Sequence, residues 1–312
     1  MIMLIDMNNL AHRVFHTPQA MLSTKAGEPS GVILGVLNSI KGVIEKFPDT
    51  TKVIACWDGG RSEWRKEIYP LYKAQRDYGK TDVEKADNYE KLWKQMATLH
   101  EVLPMFNIRS VKVDKQEADD LIASACKILP GTKLIVTSDK DMLQLISSEV
   151  SVYSPLKDKV GKVIGMLDFY DETGVTQESY IGYRALVGDT SDNISGVPGI
   201  GDVTAKNLMS KYGHIDNLLN AQGEDKKALM KSKRTAKIFD EANLKVLGRN
   251  NKIMNFKYAQ YDLLDPAIMS AYEEQLYVNS KNVKDFFIKW QFVQCLQNYM
   301  SWIVTFNSLG EE

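Results

Sequence analysis

The stretch Leu134-Ile135-Val136-Thr137-Ser138-Asp139-Lys140-Asp141 joins a short apolar run directly to two aspartates. Its first half is rich in β-branched residues, so it is predicted to form a buried strand. Two other apolar runs end in the same way, with residues 1–5 followed by Asp6 and residues 52–57 followed by Asp58. A single acid in such a position is often the cap of a following helix. Three acids at equivalent strand ends are better explained by a shared site.

The first half of the chain alternates strand patterns with helix patterns. The helix candidates carry apolar residues at the spacing of one helix face, whereas the strand candidates are short and apolar. This alternation indicates an α/β fold with a mostly parallel sheet that helices cover on both faces. Ligands of such sheets bind at the carboxyl ends of the strands, where the three acids lie. The predicted strands are 1–5, 52–57, 108–113 and 133–137, and the predicted helices are 31–45, 87–103 and 118–129.

The second half of the chain, from about residue 175, is predicted to be mainly helical. The turn-rich segment 188–201 divides two helices, and lysines and arginines are dense at 226–237. The tail 285–306 is rich in aromatic residues, but polar residues interrupt it, so it is not a membrane span. A packed C-terminal helix is the favoured interpretation of the tail, and a partner-binding helix is the alternative.

Composition is that of a globular protein, with 44% hydrophobic and 25% charged residues among 312. No secretory signal is recognised and the three cysteines show no pair spacing, so free thiols in the cytoplasm are expected. The net charge is −1. However, nine of the 40 acids belong to the pattern described next, and the other 31 face 39 basic residues. An acidic pocket in a basic surround suits a polyanionic substrate.

Two further acidic motifs extend the pattern. Glu117-Ala118-Asp119-Asp120 opens a predicted helix, and Gly188-Asp189-Thr190-Ser191-Asp192-Asn193 lies in the turn-rich segment. Each motif alone is equally compatible with an acidic helix start or an ordinary loop. Carboxylates that are brought close raise one another's pKa, so a cluster of them requires cations. Oxygen ligands and the scarcity of histidine favour Mg²⁺ or Mn²⁺ over zinc, with two Mg²⁺ ions about 4 Å apart as in two-metal phosphodiesterases.

These motifs, in this order, resemble the structure-specific 5′ nucleases. That family includes flap endonucleases, the 5′ exonuclease domain of bacterial DNA polymerase I, and phage enzymes called 5′ exonuclease or RNase H. The resemblance spans about residues 1–220 and is closest to the phage members. The matching stretches are 4–10, 57–59, 64–76, 117–120, 137–141, 188–193 and 196–201.

The resemblance implies a ligand set for two metal ions. Lys140 is a departure from the pattern, since relatives often carry glycine there. The first ion would be held mainly by Asp6, Asp58, Glu117, Asp119 and Asp139, and the second by Asp141, Asp189 and Asp192, with Asp120 near the boundary.

The resemblance also assigns roles to basic and aromatic residues. Lys73 and Arg76 would contact the scissile phosphate as catalytic residues, and Tyr72 would stack on an unpaired base. Arg65 would belong to the same DNA-binding segment, which leads into a helical arch around residues 70–100. The alternative for this segment is a solvated basic helix edge.

Two residues after the first strand have a less specific assignment. Arg13 and His16 lie at a spacing that is seen in phage relatives. They would bind phosphate or the 5′ end, and a surface or packing role is equally compatible with their positions.

A glycine-rich hairpin at residues 196–201 resembles the element that grips duplex backbone in this family, a helix-hairpin-helix of the helix-3-turn-helix kind. Gly196, Gly199 and Gly201 would let backbone N–H groups approach phosphates, with K⁺ as a possible ion there. Lys206 and Lys211 would extend these contacts along the next helix. A plain connector between two helices is the alternative.

The sequence therefore predicts a PIN-like nuclease domain at 1–180 and a helical duplex-binding region with C-terminal helices at 181–312. The expected activity is two-metal hydrolysis of phosphodiesters by a 5′-3′ exonuclease or flap endonuclease with RNase H-like activity, in DNA replication. Expected partners are branched or nicked duplex DNA, RNA–DNA hybrid with a 5′ single strand, and replication proteins. The chain is expected to act as a monomer, in the host cytoplasm for a phage protein. Two alternatives are a non-catalytic junction-binding protein and an RNA-cutting PIN-type nuclease, which usually lacks the glycine hairpin.

Overall fold

A six-stranded sheet forms the centre of the protein. The computed structural model describes residues 1–76, 83–155 and 160–310. The strand order is β3-β2-β1-β4-β5-β6, in which the first five strands are parallel and the edge strand β6 is antiparallel. The strands are β1 Ile2–Asp6, β2 Lys52–Trp57, β3 Arg109–Lys112, β4 Lys133–Val136, β5 Val150–Ser154 and β6 Lys162–Ile164, and a small hairpin contains β7 Gly188–Asp189 and β8 Ile194–Ser195.

Helices account for most of the remaining described residues. Short 3-10 helices lie at Pro18–Met21, Leu103–Met105, Lys140–Leu145, Lys237–Phe239 and Phe256–Tyr258. The α-helices are α1 Met7–Phe15, α2 Gly31–Lys46, α3 Glu63–Ile68, α4 Val83–Val102, α5 Ala118–Ile128, α6 Phe169–Thr173, α7 Gln177–Val187, α8 Asp202–Tyr212, α9 Ile215–Leu219, α10 Gly223–Lys231, α11 Lys233–Ala236, α12 Glu241–Met254, α13 Tyr261–Glu273, α14 Ser280–Lys289, α15 Val293–Gln297 and α16 Tyr299–Asn307.

The sheet separates two apolar cores because successive side chains of a strand point to opposite faces. In the register of the central strand, Met3 lies opposite Val53 on one side and Leu134 on the other. These three side chains enter the core that α1, α2 and α4 cover. Leu4 and Ile54 enter the opposite core, which α5, α7 and α13 cover. Both faces of the sheet are therefore buried, as the near-continuous apolar strands predict.

The predicted α/β class and the predicted strands and helices of the first half are confirmed, with ends that shift by a few residues. Strands β5 and β6 were not predicted. The three cysteines are free thiols in the described structure. Within the described ranges, no helix is long and apolar enough to cross a lipid bilayer. The predicted arch segment includes α4, and its residues 77–82 lie outside the described residues.

The aromatic tail packs against the sheet as three helices rather than as one. Phe287 and Phe306 are fully buried in the same core as α1 and α2. The ring of Phe106, which precedes β3, lies 5.1 Å from that of Phe306, and the ring of Phe287 lies 5.1 Å from that of Trp302. The packed interpretation of the tail is therefore confirmed, and the tail helps to close the core that supports the carboxyl edge of the sheet.

We expect Phe287→Ala to lower the free energy of unfolding by about 3–5 kcal/mol, because it removes a buried ring and leaves a cavity. The matched control is the neighbouring Ile288→Ala. Phe287 is 0% exposed and Ile288 is 54% exposed, so the control should change stability by less than about 1 kcal/mol. Urea unfolding followed by circular dichroism measures both. Equal effects of the two substitutions would contradict the packing of the tail.

Candidate metal and nucleic-acid site

The carboxyl edge of the sheet gathers acids from separate elements. Asp6 ends β1, Asp58 follows β2, and Asp139 follows β4. Glu117 is the N-cap residue of α5, and Asp119 lies in the first turn of that helix. From β1 the chain runs to β2 and β3 on one side of the sheet, and then to β4 and β5 on the other side. The switch point therefore lies between β1 and β4, and open α/β sheets bind their ligands at such a point.

Local hydrogen bonds orient two of these carboxylates. Asp6 is the N-cap of α1 and accepts from the backbone N–H of Asn9 at 2.9 Å. Its other oxygen accepts from Thr137 Oγ1 at 3.0 Å, which ties the end of β1 to the end of β4. Asp58 Oδ1 accepts from the backbone N–H of Ala118 at 2.8 Å. The strand ends therefore fix where these acids point.

Burial and mutual repulsion disfavour the ionised forms of the four aspartates, whereas the charges of Lys73 and Arg65 outweigh burial and lower the pKa of Glu117 to about 2. Burial raises the pKa of Asp6 to about 7, and the nearby charges of Asp58 and Asp139 add to this rise. Burial also raises the pKa of Asp119 well above its usual range, with further contributions from Asp139 and Asp6. The pKa values of Asp58 and Asp139 are raised as well, again mainly by burial. A cation in their midst would relieve this repulsion.

The donor set fits a hard divalent cation because it consists of carboxylate oxygens. In the described ranges, however, no three Asp, Glu, His or Cys side chains converge as a ready-made coordination shell. Basic side chains instead pair with several of the acids. Lys73 Nζ lies 2.8 Å from Glu117 Oε1, and Arg76 Nη2 lies 2.7 Å from Asp192 Oδ1. Lysine and arginine side chains thus partly neutralise the negative charge of the acids in this structure.

The segment that carries Lys73 and Arg76 is held against the loop that carries Asp192. Lys73 has a left-handed backbone with φ of 52°, and its N–H donates to the carbonyl of Asp192 at 2.9 Å. Gln75 Nε2 donates to the carbonyl of Ser191 at 2.8 Å. The structure therefore brings both predicted catalytic residues to the acids, and their catalytic role stays a prediction.

Three predicted site residues lie elsewhere than expected. Arg65 is 3% exposed, and it donates two hydrogen bonds to Asp120, of 2.5 and 2.7 Å, and one of 2.9 Å to Glu117. Its Nε also donates to the carbonyl of Ile253 at 2.8 Å. The prediction that Arg65 contacts DNA is therefore wrong for this structure, since the side chain is an interior counter-ion.

Asp120 and Tyr72 need the same correction. Asp120 is 0% exposed and both of its oxygens bind Arg65, so it is not placed to bind a metal. Tyr72 is buried, and its hydroxyl donates to Glu117 Oε2 at 2.9 Å. Its ring is therefore not exposed for stacking on a base. Sequence patterns identify such residues but do not show which of them face inward.

A second group of acids surrounds an arginine that the sequence analysis did not single out. Arg184 Nη2 lies 2.6 Å from Asp141 Oδ1 and 2.5 Å from Asp189 Oδ2. Asp189 also accepts from the N–H and hydroxyl of Ser191. The signal in the sequence was weak, because one arginine in the last turn of a helix ordinarily interacts with the helix end and with solvent.

The glycine hairpin lies between α7 and α8, as predicted. Gly199 has a left-handed φ of 86°, and a side chain at Gly196 would come within 2.3 Å of the carbonyl of Val187. The buried amide of Asn250 donates to the carbonyls of Ala185 and Ser195, which fixes the hairpin to α12. Gly201 is the N-cap residue of α8. These features position the hairpin, while its binding of duplex or K⁺ stays a prediction.

The predicted basic contacts around this region lie at the surface. Lys206 pairs with Asp202 at 3.0 Å, and Lys211 pairs with Asp225 at 2.6 Å. At the end of α1, Arg13 is partly buried, and its pKa is lowered by that burial. His16 is exposed, with its ring 5.3 Å from that of Phe15. Their predicted contacts with nucleic acid stay untested.

A cleft of about 910 Å³ extends from the acids along α4. The rings of Tyr89 and Trp93 stack with centroids 5.9 Å apart, and Trp93 is 47% exposed. The cleft therefore joins an acidic floor to a wall with aromatic and basic side chains. Its lining includes Asp6, Asp58, Glu117, Asp119 and Asp139 on the acidic side, and Arg61, Lys73, Arg76, Lys85, Tyr89, Trp93 and Lys112 around them.

The sequence of the chain matches two protein-family models that together cover residues 1–257. The family model for the 5′-3′ exonuclease N-terminal resolvase-like domain matches residues 1–179, and that for the 5′-3′ exonuclease C-terminal SAM fold matches residues 175–257. The chain belongs to the 5′-3′ exonuclease family. Residues 258–312, which include all three tail helices, lie outside both matches.

Individual relatives agree with this membership. The chain is 30% identical over 248 residues to a 5′-3′ exonuclease of Buchnera aphidicola, which covers 78% of this chain and 80% of that protein. It is 32% identical over 232 residues to DNA polymerase I of Rhizobium leguminosarum, which covers 72% of this chain. The matched region is only 22% of that polymerase, so the resemblance concerns one part of the longer enzyme.

Among solved structures, the T5 5′-exonuclease with bound divalent metal ions (zinc) has a TM-score of 0.71 at 22% identity. A complex of the bacteriophage T5 flap endonuclease with DNA and metal ions gives the same values. Each match covers 87% of this chain and 98% of the other. At this identity the likeness shows a shared fold.

For this member of the 5′-3′ exonuclease family, we expect Arg65→Leu to lower the free energy of unfolding by about 3–5 kcal/mol. The substitution leaves the buried Asp120 carboxylate without its partner. The double variant Arg65→Leu, Asp120→Leu should recover part of the loss, because no unpaired charge then remains at that position.

Chemical denaturation measures these differences, and the control is Arg234→Gln at an exposed arginine of α11. The control should change stability by less than about 0.5 kcal/mol. An Arg65→Leu protein as stable as the control would show that the interior pair is not formed in solution.

Without metal, we expect stability to fall as the pH rises from about 4 to about 7. The pKa of Asp6 is raised to about 7, and that of Asp141 also to about 7, in each case mainly by burial. In this window the folded chain therefore holds protons that the unfolded chain has released, so rising pH favours unfolding. Added Mg²⁺ should reduce the fall, since a bound cation favours the ionised acids.

The melting temperature, measured across this range in EDTA and in Mg²⁺, tests the expectation. Asp6→Asn should flatten the profile in EDTA because it removes one of the groups responsible. A melting temperature that rises with pH in EDTA would contradict the assigned direction.

Proposed function

We propose that the protein is a divalent-metal-dependent 5′ nuclease that cuts phosphodiesters at 5′ ends and at junctions of single-stranded and duplex nucleic acid. One observation carries the proposal. Buried acids from separate elements gather at the switch point of a parallel sheet, at the floor of a cleft, in a chain of the 5′-3′ exonuclease family. Repelling carboxylates at such a position suit metal-assisted chemistry better than structural support.

The relatives support both the substrate and the metal. The T5 flap endonuclease has been solved with DNA and metal ions, and the family includes DNA polymerase I. We therefore propose flap and nicked DNA as substrates in replication, RNA primers on DNA as a further substrate, and replication proteins as partners of the monomer.

The proposed metal is Mg²⁺, with Mn²⁺ as a substitute and two ions in the active state. Asp6, Asp58, Asp119 and Asp139 would hold the first, together with Glu117. A bound divalent ion lowers the pKa of a water and stabilises negative charge on the phosphate oxygens. The protein's own contribution is to hold these acids at fixed strand ends and helix starts, so that little reorganisation is needed.

Lys73 and Arg76 have the chemistry to recognise the phosphate that is cut. Both now pair with acids of the site, Lys73 with Glu117 and Arg76 with Asp192. A metal ion on those acids would leave the two cations available for a phosphodiester. The pairs seen here thus keep the cations beside the place where the substrate phosphate would lie.

The cleft and the hairpin would bind different parts of a branched substrate. Stacked Tyr89 and Trp93, with Lys85 and Lys112 in the same cleft, suit an unpaired strand, whose bases stack on aromatic rings. The hairpin at residues 196–201 and the start of α8 suit the duplex, whose phosphates they would contact without reading sequence. A K⁺ ion at the hairpin carbonyls would strengthen that contact.

A non-catalytic junction-binding protein is the alternative from another class. It would need the basic and aromatic surfaces but not the buried acids. Because buried charges of one sign destabilise a fold, an unused cluster of this kind is costly to maintain. The raised pKa values of Asp6 and Asp119 therefore favour an enzyme over a binding module.

We expect Asp139→Asn to reduce cleavage of a 5′-flap duplex in Mg²⁺ by at least about a hundredfold, because it removes a ligand of the proposed ion. Asp192→Asn should act in the same direction. Binding of the same duplex should fall far less, because neither acid attracts phosphate. Gel analysis of end-labelled flap measures cleavage and maps the cut, and fluorescence anisotropy in Ca²⁺ measures binding.

The matched control is Asp262→Asn, the same chemical change at an exposed aspartate in the first turn of α13. It should leave both cleavage and binding unchanged. Wild-type cleavage rates in Asp139→Asn and Asp192→Asn would defeat the assignment of the site, and tight binding without any cleavage by the wild type would favour the junction-binding alternative.

A further inference from the structure

Two arginines of the site are held in different ways. Arg65 is bound through all three of its nitrogens, to Asp120, Glu117 and the carbonyl of Ile253. Arg184 contacts both Asp141 and Asp189 through the single atom Nη2. The two-pronged geometry of the Arg65–Asp120 pair is the stronger kind of ion pair, and one shared nitrogen is the weaker. Arg65 is therefore fixed, whereas Arg184 can be displaced.

The buried Nε of Arg184 supports this difference. It has no hydrogen-bond partner among the described residues, although the side chain is only 12% exposed. A buried donor of this kind costs free energy when it is left unpaired. This unpaired donor is a cost of the position seen here, and a move that paired Nε would offset part of the cost of leaving the acids.

The acids that Arg184 joins come from distant parts of the chain. Asp141 lies in the 3-10 helix that follows β4, and Asp189 lies in β7, which follows α7. Arg184 thus lies between two carboxylates that would hold a divalent ion. Asp6, Asp58, Asp119 and Asp139 differ, because within the described ranges they make no ion pair with lysine or arginine.

We infer that Arg184 is a built-in competitor for the second metal ion. By pairing with Asp141 and Asp189 it lowers the affinity of that half of the site for a divalent cation. Asp6, Asp58, Asp119 and Asp139 make no such pair in the described ranges, so the first ion meets less competition there, with Lys73 paired only to the neighbouring Glu117 and to Asp192. The second ion binds when Arg184 moves off the two carboxylates. Arg184 is thus a positioning residue that sets how many ions are bound at a given concentration, and the inference rests on the proposed metal dependence.

Substitution of Arg184 tests this without any nucleic acid. Titration of the full chain with Mn²⁺ alone, followed by calorimetry and by the paramagnetic resonance of free Mn²⁺, counts the ions and their affinities. The wild type should show one tighter and one weaker event. Arg184→Gln should tighten the weaker event at least tenfold, because it removes a positive charge within a few ångströms of the ion.

Two further variants separate the pair from a general charge effect. Arg184→Lys keeps the charge and should stay within about threefold of the wild type. Lys140→Gln removes a charge from an exposed residue next to Asp141, and it should change the weaker event by less than about threefold, because exposed charges are screened. A weaker event of equal affinity in Arg184→Gln and wild type would overturn the inference while leaving the metal site intact.

A measurement on the unaltered protein covers the case in which Arg184→Gln does not fold. Nuclear magnetic resonance of the arginine side chains, during titration with Mg²⁺, should show the Arg184 signals changing only with the weaker event. The Arg65 signals should stay constant, since that side chain is fixed by three groups. Arg184 signals that do not respond to the second ion would overturn the inference. Absence of any ion binding would overturn the proposed metal dependence and this inference with it.

Discussion

The structure depends on the meeting of like charges at one edge of a buried sheet. Parallel strands end at the same edge, and in this chain the acids that follow them are buried or half-buried. Burial and repulsion then raise the pKa values of Asp6, Asp119 and Asp139. Such an edge is unfavourable for folding unless positive charge is supplied, and the chain supplies it in two ways.

One positive charge is fixed in the interior, and the others pair with acids of the proposed metal site. Arg65 neutralises Asp120 through interior bonds, and this pair anchors α3 to the start of α5. Lys73 pairs with Glu117, Arg76 with Asp192, and Arg184 with Asp141 and Asp189, all of them acids of the proposed metal site. On the proposed function, the protein folds with its own cations in the site and exchanges them for substrate and metal.

The fold could be predicted to a large extent because its signal is local. The apolar runs before Asp6, Asp58 and Asp139 identify strands whatever the rest of the chain does. Strands β5 and β6 were missed because both are short, five residues with two serines in β5 and three residues in β6. The candidate acids could also be predicted, since their motifs are compact in sequence.

The pairing between side chains could not be predicted in this way. Arg65 and Asp120, or Arg184 and Asp141, are far apart in the chain, and only the packing of the helices decides that they meet. The same basic segment contains the buried Arg65 and the partly exposed Arg76, and their residue types do not distinguish them. Orientation relative to the core is a property of the assembled fold.

The packing of the tail also has a consequence for how the chain is made. Phe106 lies beside β3, but the rings that enclose it, Phe287, Trp302 and Phe306, emerge from the ribosome some two hundred residues later. During translation, helices α1 and α2 can therefore cover only part of their face of the sheet. The rest of that face stays exposed until the tail helices have been made. Contacts this distant in sequence form slowly, and exposed aromatic surface in the interval is where chaperones bind and where chains aggregate. Loss of packing in the last helices should therefore lower the yield of the protein in a cell.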